Sequence, residues 1–125
     1  YNIGTDPFHT PAVLAEHAKH FFDKRNLSLG IDWPYSGSIV PAEHYQQDKR
    51  VQTIMLEINR KLYLKEGTAL KNENYDMVKN TMQEFIQSMA HIYQQSQHQA
   101  MLSAMLRKGY NNLTEEERIY WNSVY

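Results

Sequence analysis

The sequence contains no cysteine. That excludes disulfides, thiolate zinc sites and a cysteine nucleophile, and it fits a reducing compartment, so a cytoplasmic location is expected. Charge of one sign is not in excess either. Thirteen Lys and Arg face fourteen Asp and Glu, for a net charge of −1. The balance holds along the chain, with nine of each sign in residues 1–75 and four basic against five acidic in residues 76–125. A nucleic-acid groove or an anionic membrane surface needs clustered cations, so neither partner is expected. No apolar run reaches the roughly 20 residues of a membrane span. There is no phosphate loop, nucleophile elbow, dinucleotide glycine fingerprint or His-Glu-x-x-His pair. The chain opens on Tyr1 with no signal-peptide pattern, and it reads as a segment of something longer.

What remains is an ordinary globular composition: 125 residues, 42% hydrophobic and 22% charged, with a mean hydropathy of −0.68. At about 150 residues per domain, this is one domain with one modest core. Residues 1–4 read as the end of a strand. Thr10-Pro11 reads as an N-cap followed by proline at the first helical position. A helix over 11–25 follows, with Leu14, Ala18, Phe21 and Phe22 as its buried stripe. Asn26 ends it. Leu27 to Trp33 reads as a buried strand, and Val51 to Ile58 as a second, rich in Val, Ile, Thr and Met. A long helix starts near Asp76 and runs to Lys108, unbroken or kinked around Gln94–Gln99. Its stripe is Val78, Met82, Phe85, Ile86 and Met89. Thr114 with Glu117 forms a capping box for a last helix, with Leu113 before it. Strand, helix, strand and then helices is an α/β pattern. Two or three strands are too few for a self-sufficient sheet of this type, so part of the sheet is expected upstream.

Glu57, in Ile54-Met55-Leu56-Glu57-Ile58-Asn59-Arg60, is a carboxylate near the end of an apolar strand. Burial without a partner would be costly. It is therefore either neutralised by Arg60 or Arg50, or used at a site beyond the strand's carboxyl end, where desolvation would raise its basicity. Arg60 and Arg50 offer a fork for a carboxylate, and Asn59 can donate to a developing oxyanion. Gly37 allows close approach of backbone to a ligand, or is a plain turn glycine. His17 and His20 stand at i, i+3, the spacing of a metal pair. Both flank the apolar stripe and read more simply as solvated.

Three stretches carry a resemblance: Ile3-Gly4-Thr5-Asp6-Pro7-Phe8-His9-Thr10-Pro11, then Trp33-Pro34-Tyr35-Ser36-Gly37, then Val51 through Leu56-Glu57-Ile58-Asn59-Arg60-Lys61-Leu62-Tyr63. Together, over residues 2–86, they resemble the C-terminal portion of the N-formylglutamate amidohydrolase family. Residues 87–125 match nothing and read as a helical extension. The resemblance implies a zinc-carboxypeptidase-like mixed sheet flanked by helices. It implies a zinc-dependent hydrolase that cleaves the formamide of an N-acyl amino acid. In such an enzyme zinc polarises the carbonyl and activates water. Glu57 matches the general base, Asn59 and Arg60 its substrate-binding neighbours, and Gly37 a loop near the pocket. The same resemblance puts the zinc ligands before Tyr1, with no ligand position in this chain. By itself the polypeptide supplies a base and is expected not to hydrolyse. The alternative is a truncated, non-catalytic family member that associates, with itself or with a missing N-terminal part, through its long C-terminal helix and an open sheet edge.

Overall fold

Why the first helix forms, and what it buries, sets the rest of the architecture. The computed structural model describes residues 1–124. Helix α1 spans Ala12–Asp23 and buries Leu14, Ala18, Phe21 and Phe22, the stripe its periodicity predicts. Its start differs from the predicted cap. Pro11 occupies the N-cap without a side-chain bond, because the Thr10 hydroxyl is committed elsewhere. It donates to the Thr53 carbonyl at 2.7 Å and accepts from the Asp6 N–H at 2.8 Å. The helix ends as the sequence suggests. Asn26 adopts φ 53°, the Leu27 N–H returns to the Phe22 carbonyl at 3.1 Å, and the Asn26 N–H to that of Asp23. This is the left-handed closure that asparagine tolerates.

Three short strands form one mixed sheet in the order β2-β1-β3. The strands are β1 (Asn2–Gly4), β2 (Gly30–Ile31) and β3 (Met55–Glu57). The opening stub is thus the central strand, parallel to β2 and antiparallel to β3. Both long strands expected from composition are shorter. The 27–33 segment pairs over Gly30–Ile31, and Ile31 is 42% exposed. It is an edge, and among the described residues nothing pairs its outer side. The 51–58 segment is regular over three residues. Before it, the Thr53 N–H bonds the His9 carbonyl at 3.0 Å, and Val51 accepts from the ring of His9. Backbone groups that a longer ladder would use are taken by the 6–10 loop.

The core of this part is Ile3, Ala18, Phe21, Phe22 and Phe85, with Ile54, Leu56, Met82 and Met89 packed against it. The three phenylalanine rings meet with centroids 5.2–5.4 Å apart, in tilted or edge-on pairs, the arrangement aromatic quadrupoles favour. Helix α2 (Tyr75–Lys108) supplies Phe85 and runs without interruption through the polar Gln94–Gln99 stretch. Helix α3 (Glu115–Val124) follows a short 3-10 turn at Tyr110–Asn112.

By contact density the chain divides into Tyr1–Met89 and Ala90–Tyr125. In the second unit Met105 and Leu113 are buried. The predicted capping box is present there. The Thr114 N–H donates to Glu117 Oε2 at 2.8 Å, and the Glu117 N–H to Thr114 Oγ1 at 3.2 Å. No helix is long and apolar enough to cross a membrane, among the described residues.

Candidate functional site

Strand alternation decides which side chains reach the site. Successive residues of a strand point to opposite faces. Ile3 and its register partner Leu56 face the phenylalanine core, so their neighbours Asn2 and Glu57, also paired in register, share the other face. That face opens into a cavity of about 910 Å³ within the first unit. Glu57, Asn59 and Arg60 line it, together with Asn2, Pro34, Tyr35 and the 64–69 loop. The loop is held closed by Asn72, whose Nδ2 donates to the Lys61 carbonyl at 3.1 Å, and by the bridge between Leu64 and Lys71.

Glu57 is exposed, not desolvated, and it forms no ion pair among the described residues. The burial and the arginine pairing expected of it from the sequence are corrected here. The strand reads as continuously apolar, but period-two alternation sends Leu56 inward and Glu57 out to solvent. Neither arginine neutralises it. Arg60 is exposed and makes no ion pair among the described residues. Arg50 lies outside the cavity lining and is held by Asp48, with Nη2 to Oδ2 at 2.7 Å and Nε to Oδ1 at 2.9 Å. The Arg50 guanidinium, hydrogen-bonded to the carboxylate, holds Asp48 well below the usual carboxylate range. Asn59 uses its Oδ1 to cap the 3-10 turn at Arg60–Leu62, accepting from the Lys61 N–H at 3.0 Å. Its amide N–H groups remain to donate into the cavity. Lys61 is paired with Glu66 at 2.6 Å. Arg60 and Lys65 are the cations lining the cavity that form no ion pair, among the described residues.

Gly37 is not in the cavity wall. It has φ 80° and open space where a Cβ would stand, so it serves backbone shape. Its carbonyl oxygen lies 2.1 Å from the position a Cβ on Gly4 would occupy. A side chain at Gly4 is therefore excluded, and the 33–37 loop lies directly on β1. Asp32 fixes the start of that loop. Its Oδ1 accepts from the Thr5 N–H at 2.7 Å and Oδ2 from the Thr5 hydroxyl at 2.6 Å. Those bonds to the charged form hold its pKa below the ordinary aspartate value.

The Asp6–Thr10 segment is a structural knot. The Asp6 carboxylate accepts from the N–H groups of Phe8 and His9 at 2.8 and 2.9 Å. His9 is fully buried. Its Nε2 accepts from the Gln46 N–H at 2.9 Å, which leaves Nδ1 to donate to the Val51 carbonyl at 2.7 Å. The imidazole is thus neutral in one tautomer, with no lone pair for a metal. His17, expected to be solvated, is half-buried and bonds Ser88 Oγ at 2.6 Å. Among the described residues no three His, Cys, Asp or Glu side chains come close enough to hold a metal ion. The residues present therefore do not fit the zinc that the resemblance implies.

Sequence reasoning missed Asn2 and Tyr35 as cavity residues. The one available signal was a polar residue beside Ile3 in a buried strand. A family model described as N-formylglutamate amidohydrolase matches residues 1–64, just over half of the chain. No curated protein and no solved structure matches.

Proposed function

Since the chain belongs to the N-formylglutamate amidohydrolase family, we propose that it carries the general base and part of the substrate site of an amidohydrolase that cleaves the formamide of a small N-acyl amino acid. Glu57 takes a proton from the attacking water and returns it to the amine nitrogen as the C–N bond breaks, giving formate and the free amino acid. The Arg60 fork receives a substrate carboxylate, and the Asn59 amide donates to the oxygen on which charge develops. Arg50 and Gly37 act from outside the lining, as supports of the surrounding loops. The family reading also carries a zinc-carboxypeptidase-like parentage for the small mixed sheet. Zinc belongs to that reading, but no step above runs through it, because the described residues offer it no ligand set.

The observation that carries the proposal is the gathering of Glu57, Asn59 and Arg60 on one cavity, with Glu57 and Arg60 free of ion-pair partners among the described residues. A structural ion pair would have consumed one of them. The test is Glu57→Gln in the full-length protein, assayed on N-formyl-L-glutamate. A loss of about 100-fold or more in kcat, with unchanged circular dichroism, is the expected magnitude for removing a general base. Turnover within a few-fold of wild type would remove Glu57 from the role.

A second reading, association through the C-terminal helices, draws on exposed apolar side chains in the second unit. Leu106 and Ile119 are 62% and 65% exposed, and Tyr93 and Met101 are exposed as well. Sedimentation of the protein separates the readings. A tight oligomer lost in Leu106→Lys favours this one, and a monomer removes it.

A further inference from the structure

The geometry assigns Tyr35 as a ligand-contacting wall of the Glu57 cavity and Asn2 as the residue that positions it, an inference that rests on the reading of this cavity as the substrate site. Asn2 is 5% exposed and sits opposite Glu57 in the β1–β3 register. Directly paired residues on one sheet face have their Cβ atoms about 5 Å apart. From that place its Nδ2 donates to the Tyr35 carbonyl at 2.8 Å. One side chain thus ties the strand that pairs with Glu57 to a loop that lines the same cavity.

The loop rests on the sheet in two further places, one on β1 and one on β2, both through its own backbone. The Gly37 carbonyl fills the space of a Gly4 side chain, and the Trp33 carbonyl lies 2.4 Å from where a Cβ on Gly30 would be. Asn2 is the side-chain bond between these two contacts. Its own Oδ1 is buried with no hydrogen-bond partner and lies 2.8 Å from that same Gly30 position. An apolar residue would avoid the unsatisfied acceptor, so what the asparagine contributes is the donor to Tyr35. Tyr35 itself is 58% exposed. Its ring has no packing role in the phenylalanine core and lines the cavity instead. An aromatic residue on the cavity that Glu57 lines supplies a surface that, with ligand in place, excludes water from the site.

The experiment is calorimetric titration of N-formyl-L-glutamate into the full-length protein carrying Glu57→Gln, so that the probe is not consumed. Tyr35→Ala on that background should raise Kd about tenfold, and Tyr35→Phe should restore it to within about twofold. Asn2→Asp keeps the shape, loses the donor, and should raise Kd similarly. It should also speed amide exchange across residues 33–37 while α1 stays protected. Should Asn2→Asp fail to fold, Gly4→Ala moves the loop by pressing on the Gly37 carbonyl without meeting the Asn2 side chain, and the same pair of changes is expected. Unchanged affinity in Tyr35→Ala, no binding of the probe at all, or unchanged loop exchange in the folded Asn2 or Gly4 variant overturns the assignment. Retained turnover in Glu57→Gln would instead sink the catalytic reading and leave this one standing, because the wall is read by affinity.

Discussion

Each of the two units of the chain is closed internally, by contacts of different range. In residues 1–89 the side-chain bonds span long stretches of sequence. His9 reaches Val51 over 42 positions, Arg25 reaches Glu84 over 59, and His17 reaches Ser88 over 71. In residues 90–125 the bonds are mostly local. Thr114 and Glu117 cap each other three apart, Lys108 meets Glu117 nine apart, and His98 meets Tyr120 across 22. The first unit also owns the aromatic cluster, while the second buries Met105 and Leu113. A unit closed by distant contacts is cooperative and can hold a cavity in shape. A unit closed by neighbours rests on helix propensity and caps, and opens locally.

The comparison breaks most sharply at Phe22. Truncation of this fully buried ring, which touches Tyr1, Phe21 and Phe85, should cost about 3–5 kcal/mol. Urea denaturation monitored by amide exchange should show protection collapsing across α1 and the sheet together. A cost under 1 kcal/mol would mean the aromatic cluster does not close the first unit.

Thr114→Ala asks the matching question of the second unit. Loss of the reciprocal cap should cost about 1 kcal/mol. Exchange should accelerate within residues 110–124 and leave β1 and α1 unaffected. If the sheet loosened equally, the division into long-range and local units would not describe the energetics.

Both halves of this contrast bear on what could be read from the chain beforehand. The Thr114-Glu117 cap and the stripe of α1 were legible because helical periodicity and capping are short-range rules. The strand lengths were not, because β1 pairs with Gly30 and with Glu57 far along the chain. The apolar look of Ile54–Ile58 hid an alternation that only a known sheet face reveals. Thr10 looked like a helix cap for the same reason: its true partner, Thr53, is 43 residues away.

Acid should act on both units with the same sign and smaller size. Asp32, bonded by Thr5, and Glu117, bonded by Lys108 and Thr114, have folded pKa values below their ordinary ones. Such carboxylates stabilise the fold above their unfolded pKa, roughly 4. That contribution is lost as pH falls through the lowered folded value. Melting temperatures should therefore hold from neutral pH to about pH 4 and decline below it. Thr5→Ala should flatten part of that decline, and an unchanged acid slope in this variant would dismiss Asp32 as a contributor.

The smallest effect is expected at Lys108→Ala. The ion pair with Glu117 is solvated, with the lysine side chain 49% exposed, and such pairs add little. The melting temperature should hardly move, and the shift should shrink further in salt. A large salt-independent loss would assign Lys108 a packing role.

From the residues alone came the α/β class, the helix stripes, the capping box and the family signature around Leu56-Glu57-Ile58-Asn59-Arg60, because each is written within a few neighbouring positions. Only the tertiary structure put Asn2 across from Glu57, sent Glu57 to solvent on the cavity face, fixed His9 as a neutral structural ring and gave Arg50 to Asp48. Those outcomes depend on strand register and loop closure. Both bring distant residues together, so neither is written in the order of adjacent ones.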